Sequence, residues 1–263
     1  MFSVYDSPVI LIYFSVLAFL LGGVFGSFLN CAAWRITHGE SITKGRSHCP
    51  DCGHTLGALD LIPWFSWLFL KGKCRYCGKP VPARYPLTEL VFAVITLSCL
   101  LQRDLTLLCL RDWILCCCLF TLSLTDLEEQ IIPDRFLIIP AVLWFLWLPF
   151  SGCTVTEILL HIGAGLVFGG GILLVSILMD RILKKESLGG GDIKLLAVIG
   201  LYLGFIGSLF ALLAACLLGL LFLLAGKRQA SAPQIPFGPS LSAAFWLMLL
   251  WGEPLAQWYL SLL

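Results

Sequence analysis

Two aspartates beside apolar stretches are the residues whose positions most clearly indicate chemistry. Asp126 stands at the end of one apolar stretch, and Asp192 follows three glycines at the start of another. A carboxylate near a bilayer core is costly to keep there, so each one indicates a functional site. Two carboxylates that share a site hold a proton between them. One can take a proton from water while the other polarises a carbonyl group, which is the chemistry of an aspartyl hydrolase.

The residues around Asp192 favour the entry of an extended peptide. Glycines such as Gly189 and Gly191 let another chain approach the backbone closely. Lys194 either anchors the helix at the membrane interface or acts on a nearby carboxylate. The structural alternative is that Asp192 caps a helix N-terminus. No Ser or Cys nucleophile with a His base competes with the pair, because His161 has no evident partner and a Gly-x-Ser-x-Gly motif is absent.

Four cysteines form the second chemical pattern. They make two CxxC pairs separated by 21 residues, namely Cys49, Cys52, Cys74 and Cys77. This spacing suits a tetrahedral four-thiolate zinc site, or one for an iron-like substitute. Such a closed site leaves no position for water, so its role is to fold a small segment. A disulfide is disfavoured, because the charge pattern makes the segment cytoplasmic, where thiols stay reduced. A redox role for one CxxC pair is disfavoured by the presence of a second, matching pair. The flanking His48 and His54 are interpreted as ordinary polar residues.

The composition shows which elements must position these residues. Hydrophobic residues make up 59% of the 263 residues, charged residues 13%, and the mean hydropathy is +0.94, which indicates a polytopic membrane protein. A net charge of +1 gives no indication of a nucleic-acid partner. The first apolar stretch lacks a basic flank and a cleavage site, so we interpret it as a retained span. The predicted spans are 8–31, 87–102, 106–124, 136–151, 157–179, 193–206, 208–225 and 236–260.

The basic residues predict the orientation of these spans. If the connecting loops alternate sides, 15 of the 17 Lys and Arg residues fall on one side, and Arg103 and Arg111 fall opposite. The positive-inside rule makes the basic side cytoplasmic and directs both termini outward. The same alternation places Asp126 and Asp192 together at the cytoplasmic face.

The predicted fold is an all-α polytopic membrane protein of about eight transmembrane helices with a small zinc-stapled loop domain between the first two. The predicted divisions are the first helix at 1–31, the cytoplasmic four-cysteine loop domain at 32–86, and the membrane-embedded core at 87–263. Glu89 follows Pro86 at the start of the second span. It is either an acid favoured by the helix dipole or a group that binds a cation or a substrate amine.

Short motifs run along nearly the whole chain. They are Gly26-Ser27-Phe28-Leu29-Asn30 with Arg35, Ile62-Pro63-Trp64-Phe65-Ser66-Trp67, Gly72-Lys73-Cys74-Arg75-Tyr76-Cys77, Arg84-Tyr85-Pro86-Leu87-Thr88-Glu89-Leu90, Asp126-Leu127 through Ile132-Pro133-Asp134, Gly189-Gly190-Gly191-Asp192-Ile193-Lys194-Leu195-Leu196-Ala197 and Pro236-Phe237-Gly238-Pro239. In this order and spacing they resemble the bacterial type IV prepilin peptidases. These are also called leader peptidase/N-methyltransferases and are GxGD-type membrane aspartyl proteases.

The resemblance implies that Asp126 and Asp192 are the catalytic pair. It implies cleavage of the basic leader of prepilins, or of type II secretion pseudopilins, after a Gly on the cytoplasmic side of the bacterial inner membrane. It also implies methylation of the new N-terminal residue, usually Phe, with S-adenosylmethionine. Family members without the four-cysteine loop tend to lack the methylase role, so this chain is expected to have both activities.

Glu89 and residues 26–30 are where we expect the methyl-donor site. Gly190 stands where the family often has an apolar residue, a change expected to alter loop flexibility and not chemistry.

Two other functions compete with this interpretation. A transporter could use paired aspartates to bind a cation or relay protons, but it predicts carboxylates near mid-span and a repeated half. Here the carboxylates are at predicted helix ends, and the sequence shows no internal repeat. A non-catalytic zinc-stapled assembly scaffold would leave the glycine-rich stretch before Asp192 unexplained. The sequence carries no indication of an oligomeric state.

Overall fold

The computed structural model describes residues 3–184, 188–225 and 236–261. Within these ranges the chain is helical, with short 3-10 helices at Val4–Asp6 and Ala58–Leu61 and two isolated β-bridges in place of any strand. The α-helices are α1 (Pro8–Thr37), α2 (Phe65–Phe69), α3 (Arg84–Arg103), α4 (Leu107–Glu129), α5 (Arg135–Ser151), α6 (Val155–Leu183), α7 (Gly190–Ala225) and α8 (Gly238–Leu260).

The helices confirm the predicted all-α membrane fold. By length and composition, α1, α3, α4, α6 and α7 can each cross a membrane, and α5 is a shorter apolar helix. The predicted spans 193–206 and 208–225 both lie in α7, which loses helical geometry at Gly204 (φ 64°, ψ −165°). Three of the basic residues used for the orientation, Lys185, Lys227 and Arg228, lie outside the described residues.

The first of two compact units is Met1–Thr121, which holds α1 to α3 and most of α4. A Cβ atom added to Gly22 of α1 would lie 2.7 Å from the Cα atom of Ala93, so α1 and α3 touch backbone to backbone. Small residues permit such close packing of helices in a membrane. Trp113 of α4 donates to Thr96 of α3 at 3.1 Å.

The two basic residues that oppose the charge bias share one partner in this unit. Arg103 Nε lies 2.9 Å from Asp112 Oδ2, and Arg111 Nη2 lies 2.6 Å from Asp112 Oδ1. The Asp112 side chain is fully buried. A buried carboxylate is tolerated when its oxygens are paired and hydrogen-bonded, and two guanidinium groups provide this. The positions of Arg103 and Arg111 are therefore explained by an ion cluster.

The second unit is Leu122–Leu263, which holds the end of α4 and α5 to α8. Helices α6 and α7 touch closely, because a Cβ atom on Gly200 would lie 2.5 Å from the Gly165 Cα atom. The Tyr202 ring of α7 packs against Phe245 of α8, with centroids 5.6 Å apart. The Tyr202 hydroxyl donates to the Pro140 carbonyl of α5 at 2.9 Å. Helix α7 is therefore fixed by contacts with α5, α6 and α8.

His161 has a structural partner that the sequence did not indicate. Its Nδ1 atom donates to the Leu201 carbonyl at 2.8 Å, just before the break in α7 at Gly204. A broken helix at membrane depth needs other donors for the carbonyls near the break. His161 therefore stabilises the interruption of α7, which agrees with its exclusion as a catalytic base.

Candidate active site and metal site

Asp126 lies in the last turn of α4, where the sequence predicted it, and its side chain is 6% exposed. Its Oδ2 atom accepts a hydrogen bond of 2.9 Å from the backbone N–H of Gly238. Gly238 is the first residue of α8, and the first N–H groups of a helix have no partner within the helix. The next residue, Pro239, has no N–H to offer. The positive end of α8 thus holds one carboxylate of the pair.

The contact at Gly238 requires a residue without a side chain. A Cβ atom added there would lie 2.7 Å from Asp126 Oδ2 and 3.1 Å from its Cγ. Sequence reasoning included Gly238 only as part of the motif at 236–239 and gave it no role. The useful indication was a glycine followed by a proline at a helix start, a pattern that leaves one exposed backbone donor.

Asp192 is the third residue of α7, with its side chain 9% exposed. The alternative that it caps this helix is wrong, because its backbone N–H already donates to the Gly189 carbonyl within the first turn, at 3.1 Å. Its Oδ1 atom is buried and has no hydrogen-bond partner among the described residues. The Asp126 and Asp192 carboxylates are near enough to repel each other. The structure thus brings the two predicted aspartates into one site.

The glycines before Asp192 differ in their surroundings. A Cβ atom on Gly191 would lie 2.6 Å from Ile132, so this glycine packs against the segment that follows α4. A Cβ atom on Gly189 would lie 3.3 Å from Asp192 Oδ2, and one on Gly190 would meet nothing within 4 Å. Close packing accounts for Gly191, whereas a side chain at Gly190 would meet only open space.

Lys194 does not contact the aspartate pair in the described residues. Its Nζ atom lies 2.6 Å from Asp134 Oδ1, and both side chains are mostly exposed. Asp134 is the residue before α5, and its side chain makes no capping hydrogen bond. Of the two roles considered for Lys194, an exposed ion pair near the membrane interface agrees better with these contacts than action on Asp192.

The arrangement of the pair can support hydrolysis. One carboxylate has a fixed backbone donor, and the other has a buried oxygen without a partner. A buried acceptor left unpaired costs about 1–3 kcal/mol, so it favours a proton, a water molecule or a substrate donor at that position. A water molecule between two such carboxylates can be deprotonated by one of them while the other donates to a carbonyl oxygen.

The two CxxC pairs lie in two copies of one backbone turn. In the first, the Cys49 N–H donates to the His54 carbonyl at 3.0 Å and the Gly53 N–H to the Cys49 carbonyl at 2.9 Å. In the second, the corresponding distances are 2.8 Å from Cys74 to the Lys79 carbonyl and 3.0 Å from Gly78 to the Cys74 carbonyl. The glycine after each pair has a positive φ, 69° and 71°, which the turn requires. The sequence pattern CxxCG, present twice, indicates this repeat.

The four thiols converge at one point. The Sγ atoms of Cys49, Cys52, Cys74 and Cys77 all lie within 4.8 Å of one another. The Cys49 and Cys77 sulfurs are 4.0 Å apart. A tetrahedral zinc site with Zn–S bonds of 2.3 Å needs sulfurs about 3.8 Å apart, so the cluster fits the ion after a small contraction. The histidines take no part: His54 stacks on Tyr76 instead, with centroids 3.6 Å apart.

The thiols differ in their tendency to ionise. Backbone N–H groups of Cys77 and Tyr76 lower the pKa of Cys74 to about 7. The Lys79 N–H lowers the pKa of Cys77, but burial and the other three thiols outweigh it and raise that pKa to about 11. Four thiolates without a cation would repel each other, and a bound divalent ion would deprotonate all of them. The cluster therefore has the chemistry of a metal site.

Glu89 is buried in the first turns of α3 and contacts the segment between the two CxxC pairs. Its Oε2 atom accepts from the backbone N–H of Trp64 at 3.1 Å, and its carboxylate is also hydrogen-bonded by Ser27. The nearby Asn30 donates to Thr88 at 2.6 Å. These bonds give Glu89 a structural role. A role in binding a methyl donor stays a prediction.

Comparison with known proteins identifies the family. The profile of the type IV leader peptidase family matches residues 113–224, and that of the bacterial peptidase A24 N-terminal domain matches residues 20–103. The chain is 33% identical over 280 residues to a protein of Aeromonas hydrophila named "Prepilin leader peptidase/N-methyltransferase", covering 95% of this chain and 94% of that protein. The chain belongs to the type IV leader peptidase family.

Other members of the family are equally similar. A Bacillus subtilis protein of the same name is 32% identical over 250 residues, covering 93% of this chain and 97% of that protein. A Myxococcus xanthus protein of that name is 33% identical over 235 residues, covering 86% and 69%. No solved structure matches the chain. Both aspartates lie in the type IV leader peptidase match, the four cysteines and Glu89 lie in the N-terminal match, and Gly238 lies beyond both.

Proposed function

We propose that this chain cleaves the leader of type IV prepilins or type II secretion pseudopilins and then methylates the new N-terminus. The single observation that carries the peptidase proposal is the pair Asp126 and Asp192, buried together at the ends of α4 and α7. The names of the relatives support the same two activities. A cation transporter is not favoured, because both carboxylates lie at helix ends and not near mid-span.

The proposed cleavage uses one water molecule and the two carboxylates. The ionised carboxylate takes a proton from water as the water oxygen bonds to the scissile carbonyl carbon, and the protonated carboxylate donates to the carbonyl oxygen. The C–N bond then breaks as the carboxyl that took the water proton passes it to the leaving amine, and a hydroxyl of the tetrahedral intermediate returns a proton to the other carboxylate, which restores the pair. In this scheme the Gly238 N–H keeps Asp126 in place. The exposed glycines Gly189 and Gly190 before Asp192 would let an extended substrate approach the backbone, and the substrate is cut after its own Gly.

The second activity is proposed for the N-terminal part of the chain. Residues 32–86 would form a loop domain that Cys49, Cys52, Cys74 and Cys77 close around zinc, between the first helix at 1–31 and the peptidase core at 87–263. S-adenosylmethionine would supply the methyl group, with Glu89 as a candidate contact. A zinc ion held by four thiolates has no open position, so its role would be structural.

The proposed location is the bacterial inner membrane, with the cysteine loop and the aspartate pair at the cytoplasmic face. The bias of Lys and Arg supports this orientation. The substrates' basic leaders would be retained on that side by the same rule. Lipid is therefore the surrounding solvent of the helices, and prepilins or pseudopilins are the proposed partners.

The test is cleavage of a purified prepilin with a Gly–Phe junction by the full chain in proteoliposomes. We expect Asp126→Asn and Asp192→Asn each to lower the cleavage rate by about 10²–10⁴-fold, because each removes a proton-transfer group. Asp134→Asn is the matched control, since Asp134 is close in sequence to Asp126 but exposed and paired with Lys194. It should keep the wild-type rate.

The same vesicles test the transfer of a methyl group. With methyl-labelled S-adenosylmethionine, label should enter the cleaved pilin and not the uncleaved one. Full cleavage in either aspartate variant would overturn the assignment of the pair. Cleavage without any label in the product would support the peptidase activity and contradict the methyltransferase activity. A wild-type chain that passes a cation across the vesicle and cuts no substrate would favour the transporter.

A further inference from the structure

The segment between the two CxxC pairs carries an apolar surface that neither the metal site nor the aspartate pair uses. Its most exposed members are Phe69 of α2 at 80%, Leu59 at 69% and Leu68 of α2 at 66%. The exposed large apolar side chains of this segment are Leu59, Leu61, Ile62, Phe65, Leu68 and Phe69. Six such residues within eleven positions form an unusual surface for a polar loop, and such patches mark contact with another apolar phase. Lys71 and Lys73 follow at once and are exposed.

This surface is held beside the middle of α1. The Trp64 ring fills the space next to Gly23, where an added Cβ atom would lie 2.4 Å from the ring. It also packs on the Phe19 ring, with centroids 5.2 Å apart. Helix α1 has 30 residues and crosses a hydrocarbon core that needs about 20. Every stretch of 20 residues within Pro8–Thr37 contains both Phe19 and Gly23. The Trp64 ring therefore lies at hydrocarbon depth wherever the bilayer meets α1.

The backbone at Trp64 is paired as a segment inside a membrane must be. Trp64 has a positive φ of 56°, outside any helix, and its N–H donates to the buried carboxylate of Glu89. Pro63 has no N–H to satisfy. The Ser66 N–H donates to the Ile62 carbonyl at 3.2 Å and the Leu68 N–H to the Trp64 carbonyl at 2.9 Å. Irregular backbone is tolerated at membrane depth where it is buried in protein, and the packing of Trp64 on α1 and its bond to buried Glu89 meet this condition.

We infer that residues 58–70 form a re-entrant membrane element whose exposed apolar side chains contact lipid. In this arrangement Trp64 anchors the element to α1, Glu89 accepts its irregular N–H, and Phe69 faces the acyl chains. Lys71 and Lys73 then lie at the level of the headgroups, where cations are attracted to anionic lipid. The same lysines disfavour a basic peptide on this surface, so lipid is the occupant that the charges favour.

Photocrosslinking in proteoliposomes of phosphatidylethanolamine and phosphatidylglycerol tests this contact. Benzoylphenylalanine is placed singly at Leu68, at Phe69, and at Thr55, an exposed residue of the first cysteine turn. Each position is exposed, so the probe is accommodated, and equal thiol-bound metal content shows that the loop is folded. We expect phospholipid adducts at Leu68 and Phe69 at least ten times more abundant than at Thr55. Equal lipid labelling at the three positions, or adducts with protein only, would overturn the inference.

A second measurement examines the two lysines. Among lipid adducts at Phe69, the ratio of phosphatidylglycerol to phosphatidylethanolamine should exceed the ratio in the bilayer about 5-fold, the effect of one cation at the membrane surface. The double variant Lys71→Gln, Lys73→Gln should lose this enrichment and still give lipid adducts. Lipid adducts without enrichment in the wild type would contradict the headgroup contact, and loss of all adducts in the variant would contradict the anchoring by Trp64.

Discussion

The cysteine cluster and the aspartate pair are built in opposite ways. The cysteines come from two copies of one short turn, and the outermost ligands, Cys49 and Cys77, are 28 positions apart. The aspartate site combines the end of α4, the start of α7 and the start of α8, and its one fixed hydrogen bond joins residues 112 positions apart. A site made from local turns is stabilised by its own ligands. A site made from helix ends depends on the packing of the whole unit.

The two sites also differ in how completely their polar groups are satisfied. The cysteine cluster is closed, with four sulfurs close to one point and two backbone hydrogen bonds in each turn. The aspartate pair keeps a buried oxygen on Asp192 without a partner and two carboxylates that repel each other. Unsatisfied groups reduce stability and are retained where chemistry requires them. This difference teaches that removal of a ligand should damage the fold at the first site and activity at the second.

The largest effect is expected at the cysteine cluster. Cys74→Ser should remove most of the bound zinc and unfold the loop, because structural zinc contributes about 10–16 kcal/mol in small zinc domains. Metal analysis and limited proteolysis of residues 40–80 measure both effects. Cys99→Ser is the control, because Cys99 is a buried thiol in α3 beside Cys116 and belongs to no four-sulfur group among the residues that the structure describes. Equal zinc content in both variants would show that the cluster holds no metal.

At the aspartate pair, loss of activity should come without loss of stability. Asp192→Asn should lower cleavage by about 10²–10⁴-fold, as for any lost proton-transfer group. Its thermal unfolding midpoint should stay at or above that of the wild type, since the repulsion from Asp126 is removed. The unfolding midpoint in detergent, measured beside the cleavage rate, checks this prediction. A marked decrease in the midpoint would mean that Asp192 is structural.

The backbone contact at the start of α8 should be the next most sensitive feature. Gly238→Ala adds a Cβ atom 2.7 Å from Asp126 Oδ2, so the carboxylate must move by several tenths of an ångström or more. Misplacement of about 1 Å costs about 10²-fold in rate, and we expect a 10–100-fold decrease in kcat with KM little changed. Gly163→Ala in α6 is the matched control, because its added Cβ atom meets nothing within 4 Å. An unchanged kcat in Gly238→Ala would contradict the inference that Gly238 positions Asp126.

The exposed ion pair beside the site should matter least. Lys194 and Asp134 are 2.6 Å apart with side chains 57% and 61% exposed. Pairs of this kind contribute about 0–1 kcal/mol and are screened by salt. A double-mutant cycle of Lys194→Ala and Asp134→Ala on thermal unfolding should give a coupling free energy within that range. A larger coupling, or a loss of cleavage in Lys194→Ala, would place Lys194 in the site after all.

The sequence by itself determined the all-α membrane fold and most helix ends to within about four residues, and it indicated the four cysteines that converge and both aspartates. Helices α1 and α4 extend six and five residues beyond the predicted spans, and two predicted spans form the single helix α7. Each of these follows from local composition or from short spacing: apolar length predicts a span, CxxC predicts a metal turn, and a carboxylate in an apolar stretch indicates a site. The repeated CxxCG turn was also present in the sequence, because a glycine with positive φ after each pair is a local requirement.

Only the tertiary structure decided which distant groups meet. In the structure the Gly238 N–H donates to Asp126, and one oxygen of Asp192 has no partner among the described residues. His161 donates to the Leu201 carbonyl near the break in α7, and the Trp64 ring packs against the middle of α1. The physical reason is the same in each case. A hydrogen bond or a steric contact between residues far apart in the chain depends on how helices pack, and packing is set by the shapes of many side chains together rather than by a pattern near either residue.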